Sequence, residues 1–473
     1  MKDRKKMSAY SLTAGMTLVF FVVQALIMRI QLAYVPDMTQ ALGLSALFAL
    51  VYGGFLTAFV RLEKPERGTL AFAGAFAAVT MLARVAMLDF VTADYRAFLS
   101  GWMEVFRQGG VRMLAENVGD YNLMYQYVLL LASKVPLKDL YLIKWFSVVF
   151  DYALALAMMR AAGYYGGERA KLPVLLMMQI LPTVLLDGAC WGQCDSVYVF
   201  FIVMSLYWLE TGKPVRSAAM LAISFAFKLQ TIFFFPIVLL GLIHKRYKLR
   251  DAAVFAAAYL VTLLPAVMAG RPPLDALMVY VNQSMGQYYH RLVYGAPNLY
   301  IFFPLMELDT KPAFTWMRNI KGINADGLSE YLDMDLFPDL QHAALYACVL
   351  LVLIAVVYWL IHYREVTPDM TLEMALFFAL FLPFVMPKMH ERYYALADML
   401  AILYACRHRN RRFMPLLVAG ASLLSYLPYI TRQHVVDFRV YALMMFAALI
   451  VVSRDLLVRM RKNRIELAKG GMY

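Results

Sequence analysis

Long apolar runs recur along nearly the whole chain and limit what it can fold into. They cover roughly 16 to 22 residues each, enough for a helix to cross a hydrocarbon core of about 30 Å at about 1.5 Å per residue. Hydrophobic residues make up 62% of the 473 residues and charged residues 16%, whereas soluble domains are about half apolar and a quarter charged. The sequence predicts an all-α, polytopic membrane bundle of about 12 to 14 transmembrane helices.

We predict one integral membrane domain that covers residues 1–473. Its spans are expected at 10–29, 41–60, 69–88, 140–162, 172–187, 195–210, a tight pair within 216–244, 251–269, 341–362, 370–386, 391–406, 412–429 and 437–457. Two long connections, 89–139 and 271–340, separate groups of spans. Connections of this length in compact proteins are usually functional or disordered, and the aromatic content here favours order.

The basic residues, which give a formal net charge of +13, cluster in short loops between the predicted spans. Loops rich in Lys and Arg stay in the cytoplasm, so alternation from a cytoplasmic N-terminus places every strongly basic loop on one face. The alternation requires that 121–134 enter the membrane without crossing it and that 216–244 form a broken hairpin. The loops are "RLEKPERG", "GGERAK", "ETGKPVR", "HKRYKLR", "CRHRNRR" and the C-terminal "RMRKNR". The charge therefore indicates a multi-pass plasma-membrane protein with both termini in the cytoplasm and no nucleic-acid partner.

Asp94 begins a predicted surface helix in the connection 89–139. Apolar side chains from Tyr95 to Phe106 recur at helical spacing with charged side chains opposite, which is typical of a helix lying flat on a membrane. A carboxylate in the first turn could cap the helix or compensate its dipole. Alternatively, Asp94 is a general base at the depth of the lipid headgroups. Asp89 lies five residues earlier and would point from a different helix face, so the two acids form no obvious acid/base pair.

Two further motifs on the predicted outer face combine polar and aromatic residues. "GDYNLMYQY" contributes Asp120, Tyr121 and Asn122. "QYYHRLVYGAPNLY" contributes His290, Arg291 and Asn298. The first motif, taken alone, favours a polar turn that enters a helix with interfacial tyrosines. The second fits a site for a sugar or a headgroup and equally fits an interfacial aromatic belt.

The segment "WGQCDS" places Trp191, Gln193 and Asp195 between two spans. Its flanking glycines allow close approach of a backbone or a ligand, although Asp195 could also be the N-cap of the next span. Lys228 lies within an apolar run, where a lysine costs about 2.5 to 3.5 kcal/mol and needs a partner or a function. It could reach an interface by snorkelling, but the neighbouring Gln230 favours a polar pocket.

The segment "PKMHERYY" places four ionisable residues between two spans. They are Lys388, His390, Glu391 and Arg392. A helix N-terminus with Lys, His and Arg around it is a receptor for a phosphate group. The alternative is an ordinary short loop with an internal Glu–Arg pair.

The cysteines and histidines indicate no bound cofactor. Four cysteines in so long a chain form no disulfide framework, and no Cys/His spacing matches a metal site. Cys190 and Cys194 lie four residues apart and could form a disulfide, but two small core residues are the interpretation we favour. We expect neither a metal nor a cofactor.

Taken together, the motifs resemble the polytopic C-type glycosyltransferases, which use a polyprenyl-phosphate-linked sugar, and in particular a bacterial mannosyltransferase-like branch. The matching segments, in family order, are "DYRAFLSGW", "GDYN" with Tyr125, "WGQCDSVY", "FKLQTIFFFP", "APNLY" and "PKMHERYY". The resemblance implies a GT-C fold with the active site on the extracytoplasmic face. It also implies that Asp94 is the catalytic base and that Lys228, His390 and Arg392 lie near the lipid phosphate.

The expected reaction is an inverting transfer of a hexose from a polyprenyl monophosphate to an acceptor hydroxyl, during assembly of a cell-envelope glycan or glycolipid. Such a transfer needs a carboxylate on the attacking side and cations where the phosphate accumulates charge, so Asp94 and the cations should share one cavity. The expected partners are the donor, a glycan, glycolipid or protein acceptor, and membrane lipids. The alternatives are a transporter or lipid flippase without catalysis, and a ligase or polymerase of lipid-linked glycans.

Overall fold

The computed structural model of the protein describes most of the chain. The described residues are 2–33, 35, 37–285, 293–302, 336–431, 433 and 435–469. The chain forms two compact units, which are Met1–Thr231 with Arg250–Gln283 and Ile232–Leu249 with Ser284–Tyr473. Part of the predicted loop 271–340 lies outside the described residues. The predicted site residues His290 and Arg291 belong to that part.

Helices dominate both units. The α-helices are α1 (Lys2–Gln31), α2 (Met38–Glu63), α3 (Arg67–Val85), α4 (Ser100–Gly109), α5 (Leu123–Ala132), α6 (Asp139–Gly166), α7 (Glu168–Ile180), α8 (Pro182–Leu185), α9 (Asp195–Glu210), α10 (Pro214–Phe227), α11 (Phe235–Ile243), α12 (Leu249–Met268), α13 (Pro273–Leu277), α14 (Val279–Met285), α15 (Leu336–Ile361), α16 (Thr371–Val385), α17 (Ala395–Arg407), α18 (Met414–Thr431) and α19 (Phe438–Ala468). Two π-helical segments cover Tyr95–Leu99 and Leu186–Trp191. The 3₁₀ segments are Gly110–Ala115, Leu229–Phe234, Leu299–Phe302, Pro368–Met370, Glu391–Tyr394 and Arg409–Arg411. The strands β1 (Val293–Tyr294) and β2 (Met389–His390) pair in parallel.

Nine of the described helices are long and apolar enough to cross a membrane, and the count is ten if one bent pair forms a single span. In that pair, Glu168–Ile180 and Pro182–Trp191 meet at 43°. The predicted all-α polytopic architecture is therefore confirmed. The sequence predicts 14 spans, four more than the ten described ones that include the bent pair. The four additional predicted spans correspond to the shorter helices α9, α10, α11 and α17. Even α9, with 16 residues, rises only about 24 Å, less than a hydrocarbon core of about 30 Å.

The first unit is built around α6. In α6, 72% of the apolar window is buried, against 17% in α12, so α6 is central and α12 faces outward. The α6 helix packs against α7, α9 and α2, and α9 packs against α10. The α6 helix is continuous over 28 residues and contains no proline, the usual cause of a sharp kink.

The predicted surface helix after Asp94 forms as a π-helical turn that continues into α4. Leu99, Met103 and Phe106 are buried, while Arg96 and Glu104 on the other side are exposed. Phe98, which the sequence pattern places on the apolar face, is exposed. The 10-residue helix α5 in the same connection rises about 15 Å, too short to cross a membrane.

The second unit is built around α16. In the span Pro368–Val385, 83% of the apolar window is buried, whereas the window of His342–Ile361 is 17% buried. The α16 helix packs against α11, α17 and α19. After Pro383, α16 ends at Val385, and the chain continues through β2 and the 3₁₀ segment into α17.

Candidate functional site

The carboxylate of Asp94 is held by two side-chain donors. Trp191 Nε1 and Gln193 Nε2 each donate a hydrogen bond to Asp94 Oδ2 at 2.8 Å. Asp94 itself has helical backbone angles and makes no capping hydrogen bond with its side chain. The structure therefore excludes a capping role for this carboxylate and unites two predicted motifs at one acid.

Tyr121 fixes the orientation of the Gln193 amide. The Tyr121 hydroxyl donates to Gln193 Oε1 at 2.7 Å, so the amide nitrogen must face Asp94. Gln193 is buried, and an amide with both ends bonded in a low-dielectric interior is held firmly. The three side chains Tyr121, Gln193 and Asp94 thus form one hydrogen-bonded row.

Lys228 pairs with Asp195 in the same unit. The Lys228 ammonium lies 2.5 Å from Asp195 Oδ1, and both side chains are almost fully buried. Lys228 does not snorkel to an interface, because its ammonium is buried against Asp195. Asp195 is not the N-cap of α9, because Cys194 occupies that position. The ammonium also lies 5.6 Å from the centre of the Tyr121 ring.

The break between α10 and the following 3₁₀ segment positions Lys228. Its extended backbone, with φ −150° and ψ 135°, ends α10 and turns the side chain towards α9. Ser224 stabilises this break, because its hydroxyl donates to the carbonyl oxygen of Tyr198 and bonds to the Thr231 hydroxyl. Gln230, two residues after Lys228, is also buried, and its Oε1 has no hydrogen-bond partner among the described residues.

The loop that carries Trp191 and Gln193 depends on local backbone geometry. Gly192 has φ +80°, a left-handed conformation that favours glycine. The Thr92 hydroxyl donates to the Trp191 carbonyl at 3.2 Å and so ties this loop to the segment before Asp94. The Asp195 amide donates to Asp187 Oδ2 at 3.3 Å, which closes the turn.

Lys144 holds the chain between α3 and Asp94. Its fully buried ammonium donates to the carbonyl oxygens of Met87, Leu88 and Phe90 at 2.7 to 3.0 Å. This residue was missed by the sequence interpretation, although the rule that singled out Lys228, a cation inside an apolar run, applies to it equally. Lys144 supports the site without belonging to the predicted motifs.

A second charged pair, also missed, lies deeper in the first unit. Arg84 Nε and Asp151 Oδ2 are 3.0 Å apart with side chains at most 1% exposed, and the Ser196 hydroxyl donates to Asp151 Oδ1 at 2.6 Å. A Cβ atom at Gly188 would lie 3.0 Å from Asp151 Oδ2, so glycine allows this carboxylate to approach the π-helical segment. Both charges lie inside apolar runs and were detectable by the same rule.

The remaining predicted residues of the first unit are distributed around this row. Asp89 accepts from the Ala33 amide at 2.9 Å and from the Tyr141 hydroxyl, contacts that tie it to the scaffold. Asn122 caps α5, with its Oδ1 accepting from the Leu123 amide. Asp120 is exposed. Substrate binding by these three residues stays a prediction.

An aromatic row continues from Tyr121. Its ring lies 5.7 Å from the Trp102 ring and 4.9 Å from the Tyr125 ring, in edge-on contacts. Gly119, with φ +74°, packs directly against Trp102. Aromatic rings beside a carboxylate and a cation suit contact with the faces of a sugar ring.

In the second unit, β1 and β2 join two predicted motifs. The Tyr294 ring stacks on the His390 ring at 4.7 Å, and His390 Nδ1 lies 3.6 Å from Glu391 Oε2. Asn298 is fully buried and donates to the Met386 carbonyl at 3.2 Å, so it fastens "APNLY" to the end of α16. Asn298 is thereby placed as a structural link, and its substrate contact stays a prediction.

The two strong bases of "PKMHERYY" differ in setting. Lys388 has φ +62° and is half-buried, and this partial burial lowers the pKa of its ammonium below the usual value. Arg392 is buried, with its guanidinium 5.8 Å from the centre of the Tyr393 ring. The Glu391 carboxylate lies next to the His390 imidazole, and no ion pair with Arg392 is seen within the described residues. The location of these cations at a lipid phosphate stays a prediction.

Among the described residues, no cluster of three or more His, Cys, Asp or Glu side chains could hold a metal ion. Cys190 and Cys194 form no disulfide and are both buried, which agrees with their interpretation as small core residues.

The first unit therefore presents a carboxylate oriented by two N–H donors, and Tyr121 connects this carboxylate, through Gln193, to a buried ammonium and a row of aromatic rings. Such a carboxylate can accept a proton from a hydroxyl group, and such an ammonium can stabilise developing negative charge.

Comparison with known proteins gives one positive result. The sequence model of glycosyltransferase family 87 matches residues 121–387, which is more than half of the chain. The match begins at Tyr121, within "GDYN", covers "WGQCDS", "FKLQ" and "APNLY", and ends at the first residue of "PKMHERYY". Asp94 and Asp120 precede it. A comparison with curated proteins finds no match. The chain is thus a membrane glycosyltransferase and belongs to glycosyltransferase family 87.

Proposed function

We propose that the protein is an inverting hexosyltransferase that uses a polyprenyl-monophosphate-linked hexose, mannose-like or glucose-like, and that Asp94 is its base. The observation that carries this proposal is the Asp94 carboxylate, oriented by Trp191 and Gln193 at one end of the first unit. A base must be oriented before the reaction, because reorganising it during the reaction raises the barrier.

In the proposed step, the acceptor hydroxyl attacks the anomeric carbon of the sugar. The O–H proton passes to Asp94, a new C–O bond forms, and the bond from the anomeric carbon to the phosphate oxygen breaks. The products are the glycosylated acceptor and the polyprenyl phosphate, and the proton leaves Asp94 to solvent. Attack opposite the leaving group inverts the anomeric centre.

The departing phosphate requires positive charge. Lys228 is a candidate for this charge, because its ammonium contacts the ring of Tyr121, whose hydroxyl bonds to Gln193. Asp195 holds the ammonium in position, as a carboxylate partner does for a buried cation. We further propose His390 and Arg392 as phosphate ligands, on the strength of the family resemblance of their motif.

The proposed setting is the extracytoplasmic face of the plasma membrane, with the acceptor a growing glycan, glycolipid or protein of the cell envelope. Membership of a glycosyltransferase family favours this function over transport or lipid flipping. The other candidate is a ligase or polymerase that takes glycans from a polyprenyl pyrophosphate, and the carrier lipid distinguishes the two.

The test uses purified protein with a panel of polyprenyl-monophosphate hexoses and, in parallel, polyprenyl-pyrophosphate glycans. We expect sugar release from at least one monophosphate donor, its loss in Asp94→Asn, and unchanged donor binding by that variant. Asp275→Asn is the matched control, because Asp275 is an exposed carboxylate of the same unit. Turnover only with the pyrophosphate donors, or near-normal turnover by Asp94→Asn, would overturn the proposal.

A further inference from the structure

Three cations surround one tryptophan at the end of α9 that is farthest from Asp195. The Lys213 ammonium lies 4.7 Å from the centre of the Trp208 ring. The guanidinium carbons of Arg216 and Arg160 lie at 5.0 and 6.0 Å from the same point. Arg160 comes from α6 and also donates to the Tyr207 hydroxyl at 3.0 Å. We call Arg160, Trp208, Lys213 and Arg216 the Trp208 cluster.

Within the part of the chain that the structure describes, the Trp208 cluster has no ion pair to balance its charge. Among the described residues, none of its three cations lies within ion-pair distance of a carboxylate. Lys171, in the same unit and the same predicted cytoplasmic region, shows the contrast, with Glu63 at 2.8 Å and Glu168 at 2.9 Å. The neighbouring acid, Glu210, accepts from the Tyr164 hydroxyl at 3.2 Å. Cations that converge without an acid repel one another unless an anion joins them.

The N-terminus of α10 adds to this positive charge. This 14-residue helix starts at Pro214, has no acidic residue in its first turn, and receives no side-chain cap from Lys213. The unpaired N–H groups of a first turn carry partial positive charge that an anion can satisfy. Two independent features, the cations and the helix end, therefore favour the same kind of ligand.

We propose that the Trp208 cluster binds the headgroup of an anionic phospholipid. A phosphodiester offers oxygens to two guanidinium groups, which bind phosphate in a planar, bidentate way. The lipid is favoured over a free anion because Trp208 and Tyr207 end an apolar helix, where such rings mark the membrane interface, and Val215 beside them is an exposed apolar side chain.

This site is separate from the proposed donor site. The α9 helix begins at Asp195, the partner of Lys228, and ends after Trp208, while α10 returns to Lys228. The rise of about 20 Å from Asp195 to Trp208 along α9 places the Trp208 cluster in the opposite leaflet from Asp195. The inference does not depend on the identity of the sugar donor.

The test measures binding of phosphatidylglycerol and of phosphatidylcholine to the purified protein by native mass spectrometry. The variant Arg160→Gln/Lys213→Gln/Arg216→Gln should lower phosphatidylglycerol affinity by about a hundredfold, given the usual contribution of each cation at a membrane surface. The matched control is Arg409→Gln/Arg412→Gln/Arg461→Gln, which removes the same charge from exposed residues of the second unit and should bind as the wild type does.

Two additional measurements keep the outcome decisive. The single variant Arg216→Gln alters one exposed side chain and should weaken binding by about fivefold, while Arg216→Lys should restore most of it. Phosphatidylglycerol should also change the tryptophan fluorescence of the wild type but not that of Trp208→Phe. The proposal is overturned by wild-type affinity in the triple variant, by equal binding of phosphatidylcholine, or by equal binding of inorganic phosphate.

Discussion

The ammonium of Lys228 lies 5.6 Å from the centre of the Tyr121 ring. This contact connects two hydrogen-bonded groups, because Tyr121 bonds to Gln193 and Lys228 bonds to Asp195. The Asp94 carboxylate is the other end of the first group. A substitution at Asp94 should therefore affect the Lys228–Asp195 pair, and a substitution in that pair should affect Asp94. Stability and activity measurements on such variants can determine this coupling.

Replacing Lys228 with methionine should destabilise the protein. It leaves the Asp195 carboxylate buried without its ammonium, which costs about 3 to 5 kcal/mol for buried ion pairs. The double variant Lys228→Met/Asp195→Asn should regain most of the stability, but not the transfer activity. Thermal unfolding in detergent measures the first effect, and a Lys228→Met protein as stable as the wild type would contradict it.

Replacing Tyr121 with phenylalanine should lower kcat more than it changes KM. The ring remains, but the Gln193 amide loses the hydrogen bond that orients it towards Asp94. A loss of about 1 kcal/mol of orientation corresponds to about fivefold in rate. The control is Tyr127→Phe, which removes a hydroxyl bonded to the Thr262 carbonyl away from this row. If both variants retain full kcat, the amide orientation does not matter for transfer.

Replacing Gly119 with alanine should destabilise the first unit. A Cβ atom there would lie 2.3 Å from Trp102 Cε2, and the φ of +74° is strained for alanine. Overpacking of this kind costs about 1 to 3 kcal/mol. Gly101→Ala is the control, because it is helical with no atom within 4 Å of a new Cβ and should be neutral or slightly stabilising. Equal unfolding temperatures for the two variants would argue against the packing at Trp102.

The proposed orientation has a labelling test within the first unit. In a Cys406→Ser background, a membrane-impermeant thiol reagent should label Glu116→Cys in intact cells but should not label Glu168→Cys. Both positions are exposed, and the remaining cysteines are buried, so accessibility from the correct side is the only variable. The reverse labelling pattern would place the Asp94 end of the unit in the cytoplasm.

Much of the fold follows from patterns within single segments. The apolar runs predict nearly every helix, since each run must satisfy its own backbone in a membrane. Lys228 was detectable because a cation in such a run needs a partner, and Lys144 and Arg84 were detectable by the same reasoning. The sequence could not show that Asp195 is the partner of Lys228, or that Tyr121 orients Gln193.

Those pairings depend on how separate helices pack, and no local pattern records them. The parallel pairing of β1 and β2 joins two-residue strands far apart in the chain, each too short to show an alternation of apolar and polar residues. Likewise, the short helices look like complete spans because apolar composition does not reveal where 3₁₀ and π-helical segments interrupt them. Whether the cations of "PKMHERYY" act together with Asp94 stays a prediction.

The shortness of α9 and α10 has a consequence for depth. If Trp208 marks one edge of the hydrocarbon layer, helices that rise only about 21 to 24 Å cannot reach the other edge, about 30 Å away. Asp195 and Lys228 then lie several ångströms beneath the opposite surface, level with acyl chains rather than with bulk water. A sugar tethered to a lipid would approach such a recess sideways through the bilayer, a route closed to any donor dissolved in water.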